Sequence, residues 1–107
     1  MNRKQIAIDF AKSLNHKEIE KIILFGSVAR EEDNEKSDID ILIITSKESD
    51  KMKIRDDIYT KTFDIMLKTG EFISAKIKSI EHYNKYKNFS FFVNVENDGI
   101  IIPLGDG

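Results

Sequence analysis

The stretch IEKIILFGSVAREEDNEKSDIDILIIT, residues 19–45, decides the fold. Its first seven residues, Ile19 to Phe25, are apolar enough for a buried strand and run directly into Gly26-Ser27. Ser27 to Glu31 can open a short helix, and the polar run EEDNEKS reads as a solvated loop. Asp38 to Thr45 then alternates polar and apolar residues before turning wholly apolar, as in a strand with a wet start and a buried end. The unit is therefore strand, Gly-Ser, ten residues, Asp-Ile-Asp, strand.

Each part has a chemical reason. Gly26 lets the backbone approach an anion with no Cβ in the way. Ser27 adds a hydroxyl, and the first amides of the following helix point outward as donors, so the corner reads as a phosphate cradle as well as a helix cap. Asp38 and Asp40 stand at i and i+2 on a strand, which puts both carboxylates on one face. Their mutual repulsion calls for a cation, and hard oxygen ligands suit Mg²⁺. Asp64 is a third acidic residue to note, because an aspartate inside the apolar run TFDIML is costly unless it is paired or metal-bound. If that run is a strand beside the Asp38–Asp40 strand, three carboxylates meet and two metal ions can be held.

Outward from this unit the pattern is mixed. Ile6, Phe10 and Leu14 recur at four-residue spacing and mark the inner face of a first helix. Ser46 to Lys61 reads as a second long helix, with Met52, Ile54, Ile58 and Tyr59 available to face a core. Thr62 to Leu67 reads as a third strand. Thr69 is a candidate cap for a helix striped by Ile73, Ile77 and Ile80. Phe89 to Val95 suggests a short helix, and Asp98-Gly99 a turn into a last strand that ends near Pro103. The expected fold is α/β (α+β): one domain over residues 1–107, with a small mixed sheet and helices mainly on one face.

Composition narrows the function. Hydrophobic residues make up 40% and charged residues 34%, which favours a compact soluble chain over disorder. Without cysteine there is neither a disulfide framework nor a thiolate metal site, and a cytoplasmic location is expected. No run approaches the roughly 20 apolar residues that span a bilayer, so no membrane role is expected. Seventeen basic and 19 acidic residues, net charge −2, leave no footprint for long nucleic acid. His16 and His82 read as surface or helix-end residues. Phe89, Phe91 and Phe92 read as core or partner-facing, and nothing singles out Tyr59, Tyr83 or Tyr86.

The run GSVAREEDNEKSDIDILI resembles the signature of the DNA polymerase β-like nucleotidyltransferases, above all the minimal nucleotidyltransferases of bacteria and archaea. The match includes Ala29-Arg30, both flanking strands and a later aspartate, Asp64. One departure is visible: the family often has glycine where this chain has Glu31. The resemblance implies that Gly26 and Ser27 hold the β- and γ-phosphates of a nucleoside triphosphate, while Asp38 and Asp40 bind the metals. It implies that Asp64 completes the metal site or takes the acceptor's proton, and that Arg30 contacts phosphate or pairs with the acidic loop. ATP is the implied substrate, with two Mg²⁺ ions.

Minimal members work with a helical HEPN-domain protein, often as the antitoxin that transfers AMP to a tyrosine of that toxin. Such a partner, in a homo- or hetero-oligomer, is what the resemblance implies here. Two alternatives stand beside it. One is a binding module that neutralises its partner by contact alone. The other is transfer to a small aminoglycoside-like molecule, against which weighs the lack of a legible substrate domain.

Overall fold

The computed structural model describes residues 2–47 and 50–104. Helix α1 (Arg3–Ser13) is capped by Asn2, whose side chain accepts from the amides of Lys4 and Gln5. It buries Ile6, Ala7, Phe10 and Ala11. Strand β1 (Ile19–Phe25) follows, then the single turn α2 (Gly26–Ala29) and strand β2 (Ile39–Thr45). Helix α3 (Lys51–Thr69) crosses back to β3 (Ile73–Ser79), and α4 (Ile80–Tyr86), α5 (Ser90–Asp98) and β4 (Ile100–Ile102) complete the order.

The sheet order is β3-β2-β1-β4. Strand β1 pairs antiparallel with β2 and with β4, whereas β2 and β3 are parallel. A parallel pair needs a long crossover, and α3 supplies it. The larger core lies on one face, where Ile39, Ile41 and Ile43 of β2 meet Phe10 of α1 and Ile54 and Ile58 of α3. The alternate β2 residues Leu42 and Ile44 point the other way, onto Tyr83, Phe92 and Val95 of α4 and α5. Helices thus cover both faces, with the greater share of the core on one. The last strand lies as expected, with Pro103 just beyond it.

Two expectations fail in the middle of the chain. Thr62 to Leu67 is the second half of α3, a helix of 19 residues, and is no strand. Its period is helical: Ile54, Ile58 and Ile65 face the core, while Met52, Tyr59, Phe63 and Leu67 are exposed. The helix stops at Gly70, which adopts the left-handed conformation (φ 77°) and donates its amide to Met66 O. Thr69 therefore belongs to the end of one helix and does not cap another; its hydroxyl donates to Ile65 O and accepts from Glu71 N. Ile73 to Ser79 is the third strand, with Ile73, Ala75 and Ile77 turned to the larger core.

Two polar clusters tie helices to this frame. Arg3 donates from Nε to Glu71 Oε2 at 2.7 Å and from Nη1 to Asp33 Oδ2 at 2.9 Å, and also reaches the carbonyl of Asn34. It thereby fastens the acidic loop to the entry of β3. Asp57 accepts from His16 Nε2 at 2.7 Å and from Lys61 Nζ at 2.9 Å, joining α3 to the turn before β1. Burial alone would raise the Asp57 carboxyl, but the Lys61 and His16 hydrogen bonds outweigh it and hold the group below its usual range.

A depressed carboxyl contributes stability above its unfolded pKa and loses it as the pH falls through the folded value. Asp57→Asn should therefore cost about 1 kcal/mol at pH 7. In urea unfolding followed by circular dichroism, the gap to wild type should close below about pH 4.

Candidate active site

Strand β1 ends beside the start of β2, and Phe25 is the pairing partner of Asp40. The chain then turns at Gly26, whose φ of 76° suits glycine. A Cβ at Gly26 would overlap Asp40 Oδ2 and stand 3.2 Å from its Cγ. The strand-end glycine is thus what makes room for the carboxylate. Phe25 offers no side-chain cap to α2, and among the described residues Ser27 Oγ has no hydrogen-bond partner.

Asp38 is exposed and stands just before β2, one residue short of the expected strand start, while Asp40 is half-buried on the face opposite the larger core. Burial pushes the Asp40 carboxyl above its ordinary value and the charge of Asp38 adds to this, with Lys76 and Arg30 opposing. Two opposed carboxylates beside a cleared glycine fit one hard divalent cation such as Mg²⁺. Among the described residues, no third His, Cys, Asp or Glu groups with them in a way that could hold a metal.

Asp64 is the correction. It lies on α3, which packs on the larger-core face, whereas Asp40 shares the opposite face with Leu42 and Ile44. Its carboxylate pairs with Lys68 at 2.9 Å, one helical turn on. It lines a cleft of about 540 Å³ between α1 and α3, with Asp9, Phe10 and Ser13. An aspartate on an exposed helix face needs no metal to explain it. The position beside Asp40 on the neighbouring strand belongs instead to Ser74, its register partner, with Lys76 two residues further.

Arg30 closes the other flank. Its guanidinium lies 3.2 Å from Glu32 Oε2 in the acidic loop and 3.8 Å from Asp98 Oδ2 on α5. A groove of about 230 Å³ opens between α2 and α5, lined by Gly26, Arg30, Phe91, Asn94 and Asp98. Glu31 keeps a left-handed backbone (φ 60°), a conformation that favours glycine, and is held by Lys4 at 2.8 Å. The turn that a glycine would make is therefore made here without one. The sequence does not single out Lys76, because Ile73 to Ile80 reads as a helix and a helix puts that lysine nowhere near Asp40.

A family model described as polymerase beta nucleotidyltransferase matches residues 8–103. "Putative protein adenylyltransferase MJ0604" of Methanocaldococcus jannaschii is 40% identical over 105 residues, covering 95% of this chain and 99% of that protein. A second protein of that organism, "Putative protein adenylyltransferase MJ0141", is 35% identical over 97 residues and 91% of each chain. Two crystal structures share the fold at low identity. One, a toxin-antitoxin with AMP-PNP, has a TM-score of 0.59 and 18% identity, over 99% of this chain and 75% of that one. The other, a mutant of the toxin-antitoxin MntA-HpeT, has a TM-score of 0.57 and 16% identity over the same shares.

A carboxyl raised on folding costs stability while it is ionised, and the cost disappears as the pH falls below the unfolded value. Asp40→Asn should thus raise the Tm of the metal-free protein by a few degrees at pH 7, with the difference shrinking below about pH 4. Differential scanning fluorimetry in EDTA across that range checks it.

Proposed function

The chain belongs to the polymerase β nucleotidyltransferase family, and we propose that it transfers AMP from ATP to a tyrosine hydroxyl of a partner HEPN-domain toxin, acting as its antitoxin. One observation carries the donor side: the strand-end Gly26 abuts the half-buried Asp40 carboxylate, so phosphate donors and metal ligands share one corner. The names of the M. jannaschii relatives support protein adenylylation, and the toxin-antitoxin structures that share the fold support the partner class.

The roles follow from the chemistry of each group. The backbone at Gly26 and the Ser27 hydroxyl hold the terminal phosphates, leaving the α-phosphorus over Asp38 and Asp40. Arg30 swings from Glu32 and Asp98 to the phosphates, since a triphosphate outcompetes two exposed carboxylates for a guanidinium. Held by Asp38 and Asp40, Mg²⁺ would draw charge off the phosphate oxygens as a Lewis acid. The acceptor oxygen attacks the α-phosphorus in line with the bond to the β-phosphate, which breaks and releases pyrophosphate. A phenol, with a pKa near 10, is among the more readily ionised hydroxyl acceptors a protein offers. Cytoplasmic location follows from the partner class.

The test is [α-³²P]ATP incubated with this protein and the HEPN-domain protein encoded beside its gene. Label should appear on a tyrosine of the partner, and Asp38→Asn with Asp40→Asn should lower the rate by roughly three orders of magnitude. Labelling that survives the double substitution contradicts the assignment. Silencing of the toxin with no label at all would favour neutralisation by contact.

A further inference from the structure

The reading of nucleotidyl transfer leaves one feature of this corner unused, and the following rests on that reading. Asp40 sits between two neighbours in the sheet: Phe25, leading into the Gly26 turn, on the β1 side, and Ser74 on the β3 side. Ile73, Ala75 and Ile77 turn to the larger core, so Ser74 and Lys76 lie on Asp40's own face. Neighbouring strands are only about 4.8 Å apart, well within a lysine's reach. Lys76 is exposed and, among the described residues, makes no salt bridge. Lys76 is also one of the two cations that bias the Asp40 carboxylate, the other being Arg30 on the opposite flank.

In-line displacement puts the attacking and leaving oxygens on opposite sides of the phosphorus. The leaving phosphates belong at Gly26, on the β1 side of Asp40. The acceptor oxygen therefore arrives from the β3 side, over Ser74 and Lys76. In two-metal sites the cation on the acceptor side is a second metal ion, which steadies the attacking oxygen. Among the described residues that place has no carboxylate: Asp64 is behind the sheet, and β3 offers a hydroxyl and an ammonium.

We propose that the site binds a single divalent cation, through Asp38 and Asp40, and that the Lys76 ammonium takes the acceptor-side role by holding the attacking oxygen as its anion. The step balances: the phenol proton goes to water, the oxygen–phosphorus bond forms, and the bond to the β-phosphate breaks with its electron pair on pyrophosphate. Lys76 keeps its proton throughout and acts only through its charge.

Electron paramagnetic resonance of Mn²⁺ bound with α,β-methylene-ATP reads the count without turnover. Wild type should hold one Mn²⁺ per chain with an uncoupled spectrum, and Lys76→Asp should hold two, exchange-coupled. Two coupled ions in wild type would overturn the inference. No nucleotide-dependent Mn²⁺ binding at all would overturn nucleotidyl transfer itself, and this inference with it. In partner labelling, Lys76→Met should lose on the order of 10²-fold at pH 7 and recover most of it near pH 9.5, as the phenol begins to ionise unaided. Lys76→Arg should stay near wild type. A rate unchanged in Lys76→Met, or lowered equally at both pH values, would overturn the role of Lys76. The substituted side chain is exposed, so folding is not at stake.

Discussion

The close approach of Gly26 to the Asp40 carboxylate is the constraint around which the rest is arranged. It requires β1 and β2 to pair antiparallel with Phe25 opposite Asp40, and it requires the chain to leave β1 in the left-handed conformation. The apolar runs on both strands make that pairing firm, since Ile41, Leu42, Ile43 and Ile44 are fully buried. A one-residue slip would carry the Asp40 carboxylate onto the face of the larger core, where an unpaired charge is costly. The register that positions the carboxylate is thus enforced by the core and costs the site nothing extra.

Around this corner the molecule spends charge carefully. The acidic loop between α2 and β2 would repel Asp38 and Asp40 if it were free to collapse on them. Arg3 prevents this by gripping Asp33 and the Asn34 carbonyl, and Lys4 takes Glu31. The cations that favour the charged form of Asp40 come from opposite flanks, Arg30 beyond the glycine turn and Lys76 on β3. A site with donors on one side, carboxylates in the middle and a lysine on the other suits transfer of a charged group along that line.

The unit from Ile19 to Thr45 was legible because its signals are local: an apolar run ending in glycine, and an i, i+2 acidic pair entering another apolar run. The stretch from Thr62 to Ile80 was not. Phe63, Ile65, Met66 and Leu67 look like a strand when only six residues are read, yet they continue the helical period begun by Ile54 and Ile58. Thr69-Gly70 carries two readings, an N-cap or a C-terminal stop, and only the backbone of Gly70 decides for the stop. Ile73 and Ile77 are four apart, which satisfies a period of 2 as well as 3.6. The error had a chemical consequence: it put Asp64 in the sheet, and hid Ser74 and Lys76 from the site.

The central claim is that the metal-nucleotide corner is formed by Gly26, Asp38 and Asp40 on the α4–α5 face, with Asp64 elsewhere. Replacing Mg²⁺ by Fe²⁺ in the presence of the non-hydrolysable nucleotide, then adding ascorbate and peroxide, cuts the backbone within reach of the bound iron. Mass spectrometry of the fragments should show cuts clustered at residues 25–28, 38–40 and 74–76, with none near residue 64. Cuts centred on residue 64, with the Gly26 and Asp40 segments intact, would contradict it.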